Sequence, residues 1–102
     1  MEVYLSKIAE SKLVKLTNHL LEEWNAKVRN EFVNKLTTKI NQISSYPKSC
    51  PQSENFEGLF KCVVSKQTSF YYRIHIDKQE IEIITFFDSR QNPKDLNKEI
   101  LL

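Results

Sequence analysis

The sequence predicts an α+β fold: a short N-terminal strand, an antiparallel helical hairpin, then a three-stranded antiparallel meander packed on the helices. Three observations carry this reading. Apolar residues recur every three to four positions in two runs of the first half, which is the period of a helix with one buried face. Two of the three prolines and the only glycine fall in the middle of the chain, where they break regular structure. The second half then turns to β-branched and aromatic residues in three short runs separated by polar turns.

The first element is Val3 to Leu5, a brief strand that ends where Ser6 can cap a helix. From about Ile8 to Trp24, Leu13, Leu16, Leu20 and Trp24 form one stripe, with Lys12, Lys15 and Glu22 or Glu23 on the opposite side. Asn25 interrupts this helix. The next stripe uses Val28, Phe32, Leu36, Ile40 and Ile43 and must stop before Pro47, because the residue preceding proline disfavours helical angles. The hairpin therefore covers about residues 8–45 and is followed by a loop over 46–58. Phe60 to Ser65, Phe70 to Ile76 and Ile81 to Asp88 are the strands of a sheet over 59–90, joined by turns at Lys66-Gln67-Thr68 and Asp77-Lys78-Gln79-Glu80. A polar tail, 91–102, ends in Ile100-Leu101-Leu102 and is either frayed or a last docking turn.

At 102 residues, with six Phe and four Tyr among 40% hydrophobic residues, the chain has the size and apolar content of a single domain spanning 1–102. Its 15 Lys+Arg against 13 Asp+Glu leave a net charge of +2, too little for the footprint of a protein that coats nucleic acid. No apolar run is as long as a membrane span and no signal-type leader opens the chain, so a cytoplasmic location without membrane contact is expected. Cys50 and Cys62 lack CxxC spacing and His/Cys companions at ligand intervals; both are read as reduced thiols, with no metal or cofactor implied. One glycine cannot build a phosphate-binding glycine loop, and neither a Ser/His/Asp order nor HExxH occurs.

Strand alternation puts Phe70, Tyr72, Ile74 and Ile76 on one face and Tyr71, Arg73 and His75 on the other. Likewise Phe60, Cys62 and Val64 share a face, which leaves Lys61 on the side of Arg73. The sheet is thus expected to be dry under the helices and basic and aromatic outward. Ile81, Ile83, Ile84, Phe86 and Phe87 make the last run apolar on both sides, as in a central strand whose second face is also covered. For Lys61, Arg73 and Arg90 the plainer reading is a solvated sheet face. The sharper one is a phosphate-binding surface on which the three cations converge, Tyr71 stacks on a base and His75 supplies acid/base chemistry near neutrality. A lone strand histidine is more often structural, and His19, on the first helix, has no partner in sequence and receives no role.

The ordered set of a short strand, a helical hairpin closing on Tyr46-Pro47, Gly58-Leu59-Phe60-Lys61, Tyr71-Tyr72-Arg73-Ile74 and a last strand running into Phe87-Asp88-Ser89-Arg90-Gln91-Asn92-Pro93 resembles the RelE/ParE superfamily of type II toxins. The resemblance spans nearly the whole chain. It implies growth arrest by a toxin made beside a cognate protein antitoxin, the two forming a hetero-oligomer in which a partly disordered antitoxin tail buries apolar toxin surface. For members that cleave messenger RNA on the ribosome it implies basic sheet residues and a strand-closing arginine, matched here by Lys61 and Arg90. Two departures count against that branch. No Tyr or His follows His75, and Phe70 stands where another sheet arginine is expected, with Arg73 as a partial substitute. The long hairpin and the Arg-Gln-Asn-Pro close look more like the ParE branch, whose members bind and poison DNA gyrase without chemistry of their own. The gyrase-directed toxin is therefore the preferred reading. The alternatives are a RelE-like endoribonuclease using Lys61, Arg73, Arg90, His75 and Tyr71, and a decayed toxin that keeps only antitoxin binding.

Overall fold

Ser6 both ends the first strand and starts the first helix. In the computed structural model, which describes residues 1–101, β1 (Glu2–Leu5) leads directly into α1 (Lys7–Glu23), and the Ser6 hydroxyl accepts a hydrogen bond from Ala9 N at 3.0 Å. That bond satisfies one of the amide donors a helix start leaves unpaired. Asn25 repeats the device: its side chain accepts from Val28 N at 2.9 Å and opens α2 (Ala26–Ser45), which stops at Tyr46 before Pro47. The helical hairpin is thus present with the interruption and the stop where the residues put them. One member of the predicted stripe departs from it, since Trp24 is 68% exposed at the close of α1.

After a loop, β2 (Phe60–Val63), β3 (Thr68–His75) and β4 (Glu80–Asp88) form the antiparallel meander. The β3–β4 turn is a short 3-10 segment closed by Gln79 in the left-handed region, φ 55°. What the sequence did not predict is where β1 goes: it adds to the meander, parallel to β4, to make a four-stranded sheet in the order β1-β4-β3-β2. Its start is tied down by the N-terminal ammonium of Met1, which donates to Ser44 O at 2.8 Å, and by Ser44 Oγ, which donates to Met1 O at 2.6 Å.

β1 is shorter than β4. Past Leu5, the β1 side of β4 is taken over by the start of α1. Ser6 N donates to Ile83 O at 3.0 Å, Ser6 Oγ to Ile84 O at 2.6 Å and Lys12 Nζ to Phe86 O at 2.7 Å.

The main core lies between the hairpin and one sheet face. Ala9, Phe32, Leu36 and Ile43 from the helices meet Phe60, Cys62, Phe70, Tyr72, Ile81, Ile83 and Phe86 from the strands. Burying so many large apolar side chains together is the main term holding hairpin to sheet. Phe86 joins this core through an irregularity. Tyr71 pairs with Thr85 but Tyr72 pairs with Ile83, so Ile84 is an extra residue in β4, a β-bulge. Without it, strict alternation from Ile81 and Ile83 would bring Thr85 inward and turn Phe86 outward.

The second face is also covered. The predicted polar tail is in fact helical over α3 (Pro93–Leu101), and Leu96 packs with Leu59 and Tyr71 in a second buried cluster flanked by Phe56, Ile84, Phe87 and Ile100. Leu102, the last residue of that tail, lies outside the described residues. The layer on the outer side of β4 therefore comes from the chain itself, where the family resemblance had assigned this burial to an antitoxin.

Candidate functional site

Tyr71 lies opposite Lys61 in the β2–β3 register, and Arg73 and His75 follow at two-residue steps along the same face of β3. That much follows the predicted alternation. The predicted openness does not hold for Tyr71, which is only 3% exposed. Phe56 from the loop meets its ring edge-on, with centroids 5.6 Å apart, and Leu96 of α3 covers it. Burial pushes its phenol above the usual tyrosine value. A ring so enclosed is not offered to a base for stacking, and the sequence reading of Tyr71 as an outward aromatic is corrected on that ground.

The three predicted cations do not converge. Lys61 sits with its ammonium 5.9 Å from the Tyr71 ring centroid and lines a cavity of about 270 Å³ whose other walls are Tyr71 and Pro51 to Asn55. Arg73 lines a different cavity, about 310 Å³, with Ser6, Ile8, Glu82, Ile84, Glu99 and Ile100. Arg90 lies beyond β4 and lines a third, about 170 Å³, between the helical hairpin and the β2–β3 turn. The strand register explains the separation. Arg90 follows Asp88, which pairs with Thr68, whereas Arg73 pairs with Glu82; the two levels are five residues apart along β3, or about 17 Å.

Each cation also has acidic company. Arg90 is bound to Asp88, its Nε donating to Oδ1 at 3.1 Å and its Nη2 to Oδ2 at 3.0 Å. The hydrogen bonds from Arg90 hold the Asp88 carboxyl below its ordinary value. Arg73 faces Glu82 in register and shares its cavity with Glu99. Lys61 shares its cavity with Glu54. His75 Nε2 lies 3.0 Å from Glu82 Oε1, so the one imidazole on this face is engaged by a carboxylate. Among the described residues no group of three His, Cys, Asp or Glu side chains is placed to hold a metal.

The polar cluster that sequence reasoning missed is centred on Lys12. Its place opposite the Leu stripe marked it as a solvated residue of α1. In the structure its ammonium crosses the open side of β4 and donates to Phe86 O, to Gln91 Oε1 at 2.9 Å and to both Glu99 oxygens at 2.9 and 3.0 Å. Thr85 Oγ1 donates to Glu99 Oε2 at 2.9 Å. One lysine thereby joins the first helix, the central strand and the last helix. Helical periodicity gives no signal for it, because the partner layer is formed by a tail that reads as polar.

No protein-family model matches the sequence, and no curated protein matches it by sequence. Solved structures do match. The chain is similar to one from the chromosomal ParDE toxin–antitoxin system of P. aeruginosa, with a TM-score of 0.70 at 12% identity over 86% of this chain and 95% of that one. It is similar to the YoeB/ParE toxin of Agrobacterium tumefaciens, with a TM-score of 0.62 at 15% identity, covering 86% and 98% of the two chains. The isolated E. coli RelE toxin matches with a TM-score of 0.62 at 13% identity, covering 99% and 98%. The chain has the RelE/ParE toxin fold.

Proposed function

We propose that this chain, with its RelE/ParE toxin fold, is the toxin of a type II toxin–antitoxin pair, arrests growth by binding DNA gyrase in the manner of ParE, and is neutralised by a cognate antitoxin in the cytoplasm. The observation that supports binding over cleavage is the dispersal of Lys61, Arg73 and Arg90 over three cavities, each with a carboxylate nearby. Phosphodiester cleavage draws on charge and acid/base groups held together around one reacting centre. Here the candidate acid/base groups are a buried Tyr71 and a His75 engaged by Glu82. A protein that works by docking needs no such assembly.

The ribonuclease reading keeps one observation in its favour: Lys61, Tyr71 and Arg73 share a sheet face and are near neighbours on it. The test is induction of the chain alone in a bacterial host, with DNA breakage and message integrity followed in parallel as growth slows. DNA breaks with intact messages are expected. Codon-spaced message cleavage would establish the nuclease instead, and normal growth would point to a decayed toxin. Arg90→Ala is expected to leave the growth arrest in place; its abolition, with fold and antitoxin binding intact, would favour the nuclease.

A further inference from the structure

The loop between α2 and β2 is not free of the sheet. Gln52 forms an antiparallel bridge with Phe60, flanked by Lys61 N donating to Pro51 O at 2.9 Å and Ser53 N donating to Leu59 O at 2.8 Å. These two bonds mark 51/61 and 53/59 as hydrogen-bonded pairs, and 52/60 between them as a non-hydrogen-bonded pair. Carried two residues beyond the bridge, the same register would set Cys50 opposite Cys62, again at a non-hydrogen-bonded position.

That position sets the distance between the two residues. Cα atoms of such pairs approach to about 4.5 Å, within the span of about 4.4–6.8 Å over which a disulfide forms. Both side chains are buried in the main core, both are free thiols, and both lie on the Tyr72 side of the sheet. Burial first, and the neighbouring Cys50 next, push the Cys62 thiol up to about 12. Reading the cysteines by sequence spacing as an unrelated pair of thiols missed this, because eleven intervening residues carry no pairing signal and the juxtaposition is made by the loop folding back on β2.

We propose that Cys50 and Cys62 are a thiol–disulfide site, a cross-strand pair that a low-molecular-weight disulfide of the glutathione class converts to an intramolecular disulfide. The thiolate of one cysteine attacks a sulfur of the small disulfide and expels one thiolate, giving a mixed disulfide. The second cysteine then attacks the protein sulfur of that mixed bond and expels the other. Two protein thiols and one small disulfide become one protein disulfide and two small thiols, which take up the two protons. The raised Cys62 thiol and the burial of both groups make this slow while the loop is closed, so exchange proceeds through opening of the 50–53 segment, which the two backbone bonds of the 52/60 bridge hold in place.

The product has a structural consequence. The bond closes a loop of about 13 residues, which confines the unfolded chain and raises the thermal midpoint by roughly 10 °C. It also fixes Pro51 to Asn55, the wall of the Lys61 cavity, to the edge of β2.

The test uses the full chain, incubated with oxidised glutathione at pH 8 and then alkylated, with mass spectrometry of the whole protein and of its peptides. The expected result is loss of two hydrogens per chain, a peptide linking Cys50 to Cys62, and a higher thermal midpoint that dithiothreitol reverses. The same treatment of Cys50→Ala/Cys62→Ala should leave its midpoint unchanged. A stable mixed disulfide at either cysteine, a disulfide between two chains, or thiols that remain unreacted until the protein is fully unfolded would each overturn the proposal. Because the deciding readout is on the unaltered chain, a poorly folding variant does not protect the proposal from failure.

Discussion

The two faces of this sheet are covered in unlike ways. On one, two helices of 17 and 20 residues bury a cluster drawn from every strand of the meander. On the other, a nine-residue helix and the loop residue Phe56 cover a cluster whose buried members, among the described residues, are Leu59, Tyr71 and Leu96. A short helix has little stability of its own and depends on what it packs against. The first layer makes the fold, whereas the second makes a surface by deciding which parts of the outer sheet meet solvent. Lys61 and Arg73 stand on either side of that second layer.

Substitutions can break this contrast or sharpen it. Phe70→Ala in the main core should cost about 3–5 kcal/mol of unfolding free energy in a denaturant titration, because a fully buried ring is replaced by a cavity between two rigid layers. Leu96→Ala should cost less, about 2 kcal/mol, since a short terminal helix can collapse onto the gap or detach. Hydrogen exchange separates the two cases. The Leu96 variant should lose protection in α3 while the hairpin keeps its own, and equal loss in both layers would show that they unfold as one unit. Lys12→Met should cost about 1–2 kcal/mol, from the charge-assisted bonds it makes to Glu99 and Phe86 O. Its exchange pattern should resemble that of Leu96→Ala.

The smallest effect is on pH dependence at the far end of β4. Hydrogen bonds from Arg90 lower the folded-state value of Asp88, so this carboxylate adds stability above its unfolded value and loses it as pH falls through the folded one. In Arg90→Ala the Asp88 midpoint, followed by NMR titration, should move up toward the ordinary carboxylate range. The stability difference from the parent chain should be present at neutral pH and vanish in acid. An unmoved midpoint would show that the paired geometry does not persist in solution.

Periodicity made the hairpin and the meander legible, because each has one large apolar face, with Ser6 as the expected cap of the first helix and Asn25 at the expected interruption, where it also caps the second. The last helix was less visible. Among the described side chains its apolar contacts come from Leu96 and Ile100, four apart, with only polar residues between them, although Asn92 before Pro93 is a start signal that carries information. The bulge at Ile84 was hidden by its own chemistry, since three isoleucines and two phenylalanines in β4 read as apolar on both sides whichever way the strand is registered. For the site, alternation gave the correct face for Lys61 and Arg73 but said nothing of distance along the strands. That distance is what separates Arg90 from Arg73.

A strand edge with free carbonyls invites another chain to pair with it, and the danger grows with concentration. The β1 side of β4 beyond Leu5 would be such an edge, running on from Ile83 through Ile84 to Phe86. Ser6 N makes the last ladder bond, to Ile83 O, and the Ser6 hydroxyl and the Lys12 ammonium then occupy the Ile84 and Phe86 carbonyls with groups that cannot propagate a ladder. The residue that joins the two layers therefore also keeps the molecule from templating its own aggregation, and its loss would be felt first as insolubility at high expression.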